Sequence, residues 1–150
     1  MTEKRQSAGK NDFLIYLAGF LDADGCIGIH KQPSTGGKIN LVPTVSLTST
    51  CKMTVDFIHS RMTELDYGHH ITFRKVSNPN WKDRYQLECR GMKRCQKILE
   101  DLVDYLVTKK QEAKDILEFI RLRQSHSKMI PYSEKELGYI EKVKLAKKNR

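Results

Sequence analysis

The first regular pattern of apolar positions starts at Phe13, with Leu14, Leu17, Ala18 and Leu21 following at helical spacing. Asn11 or Asp12 stands where a cap belongs and Gly25 where a helix stops, so the spacing predicts a helix from about Phe13 to Asp24. The polar residues 1–12 before it are expected to be flexible. The period then drops to two. Ile27 and Ile29 alternate with Cys26, Gly28, His30 and Gln32, and after a loop at residues 33–37 Val45 and Leu47 alternate with Thr44, Ser46 and Thr48. Ser49 or Thr50 can cap a second helix through Val55, Ile58 and Met62. Two further strands carry Ile71 and Phe73, then Tyr85, Leu87 and Cys89, and the turn-forming residues 77–80 make them a hairpin. One helix follows with Ile98, Leu99, Leu102, Val103 and Leu106, and another with Ile116, Leu117, Phe119 and Ile120. After a break at Pro131, Ser133 and Glu136 have capping-box spacing ahead of a last helix with Leu137, Ile140 and Val143. The order is helix, two strands, helix, two strands, helices. It describes one α+β domain over residues 1–150, with a C-terminal helix and basic tail at 131–150.

Charge sharpens this picture. The chain holds 27 Lys and Arg against 18 Asp and Glu, a formal net charge of +9. The acids are unevenly spread: none lies between Asp24 and Asp56, or between Asp66 and Asp83. One part of the molecule is thus kept free of negative charge, as expected of a surface that faces phosphates. The strands agree. Their polar positions are Cys26, Gly28, His30, Gln32, Asn40, Thr44, Ser46, Thr48, His70, Thr72, Arg74, Arg84, Gln86, Glu88 and Arg90, with Glu88 the one acid among them. A solvated sheet face ordinarily carries alternating acid–base pairs. This set consists mainly of donors and acceptors suited to base edges in a major groove, which admits a two-stranded ribbon. The four cysteines form no CxxC pair and no metal-ligand spacing with His, so reduced, mostly buried thiols are expected. No stretch approaches the roughly 20 apolar residues of a membrane span, and no apolar signal segment opens the chain. An intracellular protein is expected, with organelle (chloroplast or mitochondrion) and prokaryotic cytoplasm both open.

The segment at residues 17–25 reads Leu-Ala-Gly-Phe-Leu-Asp-Ala-Asp-Gly and closely resembles the signature of the LAGLIDADG homing endonucleases, with seven of nine positions identical. The element order fits that family, and residues 105–113 resemble its segment around a functional lysine. The resemblance therefore covers about residues 13–119. It implies the family's αββαββα fold, with a curved antiparallel sheet as a DNA-binding saddle and extra C-terminal helices here. One motif copy in 150 residues implies the homodimeric type, with Leu17, Ala18, Leu21 and Asp22 at the helix pair between subunits. Duplex DNA and a second copy of the chain are then the expected partners, and neither a membrane nor a small-molecule substrate is expected.

The implied reaction is a staggered double-strand cut in a long pseudo-palindromic site, by metal-dependent hydrolysis of one phosphodiester per strand. Asp24 is the implied metal ligand. A carboxylate at a helix carboxyl end opposes the dipole, two brought together by symmetry repel, and a hard cation relieves both. The cation expected is Mg²⁺, with Mn²⁺ or Ca²⁺ able to occupy the same place, and the Ala23 carbonyl is a further implied ligand. Lys109 matches the family's basic residue near the reacting phosphate. The stretch after the second strand departs from the pattern, since dimeric members carry Gln and Arg there and residues 48–53 have neither. Ser49 or Thr50 in place of the Gln, and Lys52 in place of the Arg, are the candidates to take over. RNA maturases and non-cleaving DNA-binding regulators share the fold, and both stay open as alternatives.

Overall fold

The computed structural model describes residues 2–126 and 130–149, with side chains from Gly9 onward. The first eight side chains and Arg150, which belong to the expected flexible start and basic tail, lie outside the described residues. Ten elements follow in order: α1 (Thr2–Asp24), β1 (Gly25–Pro33), a 3-10 turn (Thr35–Gly37), β2 (Ile39–Ser49), α2 (Lys52–Glu64), β3 (His70–Arg74), β4 (Arg84–Arg90), α3 (Met92–Leu102), α4 (Lys110–Gln124) and α5 (Glu134–Lys148). The strands form one antiparallel sheet in the order β1-β2-β4-β3.

Alternation puts one side of β1, β2 and β4 into the core, while β3 at the edge stays exposed. Ile27, Val45 and Cys89 stand in one cross-strand row, and Leu47 and Leu87 in the next, with Ile71 at its exposed end. Against them pack Leu14, Leu17, Ala18 and Leu21 of α1, Ile58 and Met62 of α2, Ile98, Leu99 and Leu102 of α3, and Ile116, Phe119 and Ile120 of α4. A one-residue slip would turn this whole row to solvent, so burial sets the register. Among the described residues no helix is long and apolar enough to cross a membrane.

Three boundaries differ from the expectation, each for a local reason. Helix α1 begins at Thr2 and runs through Asn11 and Asp12, which cap nothing. No proline interrupts residues 2–12, and the extension is tied down by Arg61 donating to the Gly9 carbonyl (3.1 Å) and by Lys10 facing Asp101 (3.6 Å). Helix α2 is capped by neither Ser49 nor Thr50: its N-cap is Cys51, whose amide donates to Ser49 Oγ (3.0 Å). Helix α3 stops at Leu102 and leaves Leu106 buried in the turn that follows, whose Tyr105 and Leu106 amides bond back to Leu102 before the Val107 amide reaches α1. The capping box at Ser133 and Glu136 forms as the spacing predicts, with bonds of 2.9 and 3.1 Å. Glu136 is buried there and faces buried Arg123 at 3.4 Å, joining α5 to α4.

The thiols divide evenly. Cys89 and Cys95 are buried, and burial pushes the Cys89 thiol up to about 12. Cys26 and Cys51 are exposed, against the expectation of mostly buried thiols, because the first lies on the open sheet face and the second at a helix start.

The chain doubles back most tightly where α1 meets β1. A β-carbon on Gly25 would stand 2.4 Å from Leu21 Cδ2 and 2.6 Å from Leu21 Cα, and no rotamer change relieves a clash with backbone. Gly25→Ala is expected to lower stability by about 1–3 kcal/mol, as overpacking does. Urea unfolding beside wild type checks this, and an unchanged midpoint would contradict it.

Candidate nucleic-acid interface and catalytic centre

Asp24 is the last residue of α1, and its side chain is exposed. Among the described residues no hydrogen bond or ion pair holds its carboxylate. What holds its position is a reciprocal clamp one turn away. The Asp22 carboxylate accepts from the amides of Val107 (2.8 Å) and Lys109 (3.0 Å), the backbone leading into α4. In return the Lys109 ammonium donates to the carbonyls of Leu21 (2.6 Å) and Asp22 (3.0 Å). The last carbonyls of a helix and the amides just before the next one are groups that regular structure leaves unpaired. Here each end satisfies the other, with a cation at the negative end of α1.

The clamp refines two expected roles. Asp22 caps the approach to α4 within its own chain. Lys109 is 5% exposed, and its ammonium is turned onto α1. It thus bonds the end of the helix that carries Asp24. Ser49 and Lys52 sit at the β2–α2 junction, and among the described residues neither is bonded to Asp24. Lys52 pairs with Asp56 one turn along α2 (3.0 Å), which raises its ammonium above the ordinary lysine range.

A metal fits this centre on the chemistry of its donors. Asp24 supplies free carboxylate oxygens, and the Ala23 carbonyl belongs to the unpaired carboxyl end of the helix. Among the described residues no cluster of three or more His, Cys, Asp or Glu could hold a metal. One chain therefore brings a partial ligand set.

The sheet face opposite the core bears out the pattern in the sequence. Cross-strand pairing places Cys26, Ser46, Glu88 and His70 in one row, Gly28, Thr44 and Arg90 in a second, and Thr48, Gln86 and Thr72 in a third. Gln32 pairs with Asn40 at one end and Arg74 with Arg84 at the other, and His30 lies on the same side between. All fifteen polar positions thus share one face. The single acid is not free: Glu88 lies 3.5 Å from Arg90 and 3.6 Å from His70, while Arg90 also donates to Gln32 (3.0 Å). The face presents donors with its one negative charge neutralised.

Two of the fifteen cannot touch a ligand. Thr44 is wholly buried, and Gly28 lies beneath α5, whose Lys147 ammonium stands 3.3 Å from where a Gly28 β-carbon would be. Lys147 is a face residue that strand alternation could not reveal. The basic tail was its only signal, and its placement depends on how α5 packs beside β1.

The expected dimer residues also divide. Leu17, Ala18 and Leu21 are buried in the chain's own core at 2%, 0% and 1% exposure. The other side of the same helix is open. Tyr16, Gly19 and Ala23 are exposed and Phe20 half-buried, and Tyr16 stacks edge-on with exposed Phe57 of α2 (5.6 Å). Three to four residues separate these positions, so they line one side of α1.

No family model matches the chain, and no curated protein matches it. Solved structures do. The homing endonuclease I-CvuI, in complex with its target in the presence of Ca, superposes with a TM-score of 0.67 at 22% identity, covering 92% of this chain and 83% of that one. The homing endonuclease I-TnaI gives 0.56 at 18% identity, over 87% of this chain and 84% of that one. The meganuclease I-SmaMI, bound to uncleavable DNA, gives 0.63 at 15% identity over 91% of this chain, which spans only 44% of that one. Another such match, I-CpaMI, is a LAGLIDADG meganuclease bound to uncleaved DNA. The fold of this chain is the LAGLIDADG homing endonuclease fold.

The clamp makes a prediction of its own. Lys109→Met keeps the length of the side chain but strands two helix-end carbonyls, and a loss of about 2 kcal/mol is expected. Asp22→Asn should cost a similar amount, since an amide NH₂ would face one of the two backbone donors. Both are read by denaturant melts, and the double variant should lose less than the sum of the two.

Proposed function

We propose that this chain is one subunit of a homodimeric, divalent-metal-dependent homing endonuclease that cuts both strands of a long pseudo-palindromic DNA site. The observation that carries this reading is the placement of an unpartnered carboxylate, Asp24, at the clamped end of α1, where β1 begins the acid-poor sheet face. Structures of I-CvuI obtained in the presence of Ca and of Mg with DNA support a divalent cation.

The polar face binds duplex DNA. Arg74, Arg84, Arg90, His30 and Lys147 meet phosphates and acceptor edges of bases, while Gln32, Asn40, Thr48, Thr72 and Gln86 read the groove. The dimer forms on the open side of α1, through Tyr16, Gly19, Phe20 and Ala23. Gly19 carries this part of the argument. Glycine inside a helix costs about 1 kcal/mol relative to alanine, and a β-carbon there would have nothing within 4 Å in its own chain. A second α1 approaching at that point uses the missing side chain. The two-fold axis then brings the two Asp24 residues together and completes a ligand set that one chain supplies in part.

A cation shared by the Asp24 carboxylates, with the Ala23 carbonyl, would stabilise the attacking and leaving oxygens of an in-line displacement. Lys109 holds positive charge on the helix end beside the phosphate, and Asp22 keeps that end fixed. Each scissile phosphate is cut once, leaving 3′ overhangs.

Cleavage of a randomised duplex library in Mg²⁺, beside Asp24→Asn, tests the reading. Wild type is expected to cut a pseudo-palindromic sequence in both strands, and the variant to bind it uncut. Enrichment of a site without cutting by wild type would instead make the chain a DNA-binding regulator. For the dimer, Gly19→Leu is expected to sediment as a folded monomer and to lose double-strand cutting. A dimeric Gly19→Leu would remove the α1 contact from the proposal.

A further inference from the structure

The β3–β4 hairpin is not closed by a tight turn. Nine residues, 75–83, join Arg74 to Arg84, and they carry the chain's one tryptophan, Trp81, with 62% of its surface exposed. The loop is built rather than loose. The Asp83 carboxylate accepts from the Val76 amide (3.0 Å) and closes the base of the loop. Asn78 turns the tip, accepting from the Asn80 amide through its side chain (3.0 Å) and from the Trp81 amide through its carbonyl (3.1 Å). An aromatic side chain is thus set out in water by a defined turn, where no apolar surface of this loop covers it.

Its surroundings say what it meets. Arg74 and Arg84 are directly opposite across the hairpin, an arrangement of like charges that destabilises a strand pair. Among the described residues no ion pair offsets either one. Lys75 and Lys82 add two more cations beside them. The one acid of the loop, Asp83, is spent on the Val76 amide. Four cations and an exposed indole therefore sit at the end of the polar face, continuous with its Arg and Gln rows. A polyanion with aromatic faces satisfies both features at once, since cations take phosphates and an indole takes a base.

We propose that Trp81 is a DNA contact in its own right. Its indole packs against a base step of the duplex just beyond Arg74 and Arg84 and partly unstacks it, while Lys75 and Lys82 hold the neighbouring phosphates. Wedges of this kind bend a duplex and let it follow more of the protein surface. The contact extends the interface beyond the strands, and it rests on the proposal that the polar face binds DNA.

The single tryptophan makes the test direct. A labelled mixed-sequence duplex is titrated into wild type at low salt without divalent metal, where binding is carried by phosphates. Anisotropy of the label reports binding, and tryptophan emission with acrylamide access reports Trp81. Quenching should follow the same isotherm as the anisotropy, and acrylamide access should fall severalfold. Trp81→Ala should bind about tenfold more weakly, with Trp81→Phe recovering most of the loss. Circular dichroism of each variant should match wild type, because the replaced side chain is exposed. Duplex binding with emission and acrylamide access unchanged, and Trp81→Ala as tight as wild type, would overturn the contact and leave DNA binding standing. Protection of Trp81 on raising protein concentration without DNA would assign it to a second copy and overturn it too. No anisotropy change at all would overturn both this contact and the DNA-binding function.

Discussion

The position of Asp24 depends on a reciprocal exchange between the last turn of α1 and the backbone that leads into α4. Asp22 accepts two amides from that backbone, and Lys109 returns its ammonium to two carbonyls of α1. Charged hydrogen bonds of this kind contribute more than neutral ones, and breaking the buried one leaves the Leu21 carbonyl stranded. The consequences spread in both directions. The link after α3 bonds back to Leu102 through the Tyr105 and Leu106 amides, and from Val107 on its amides turn to Asp22. On the other side the exchange holds the end of α1 while Gly25 lets the chain fold back against Leu21. Asp24 lies between these two constraints and takes no part in either, so its oxygens stay free.

The sheet and the helix solve opposite problems with the same geometry. Each strand gives alternate residues to the core, and the remaining row is left to whatever the protein binds. Helix α1 likewise gives Leu14, Leu17, Ala18 and Leu21 to the core and keeps Tyr16, Gly19 and Ala23 outside. The outward residues of both elements are unusual for a solvated surface. The sheet concentrates cations and amides around one neutralised acid, and the helix exposes aromatics next to a glycine that its own fold does not need. Both patterns cost stability in the isolated chain. Like charges at Arg74 and Arg84 and the glycine at position 19 are the features on which the proposed DNA and dimer contacts rest.

How much of this was legible in the sequence follows from which contacts are local. The two-residue period of the strands placed all fifteen polar positions on one face, because alternation is a property of the extended backbone. The capping box at Ser133 and Glu136 was equally readable, being a contact between residues three apart. The motif at residues 17–25 pointed to Asp24 and to the fold that the structure confirms. Helical spacing also identified Leu17, Ala18 and Leu21 as one side of α1, but it could not say what that side touches.

Tertiary packing decided the rest. The side of α1 carrying Leu17 faces the sheet of its own chain, because the sheet offers the larger apolar surface, and this left Tyr16, Gly19, Phe20 and Ala23 outside. Asp22 and Lys109 are 87 residues apart in the closest of their contacts, a separation no local pattern can join. Gly28 disappeared from the open face because α5 returns to β1 and sets Lys147 above it. The sequence by itself determined which residues alternate, which polar positions share one face of the sheet and where the last helix is capped. The three-dimensional structure decided which side of each element is spent on the core, since that depends on surfaces brought together from distant parts of the chain.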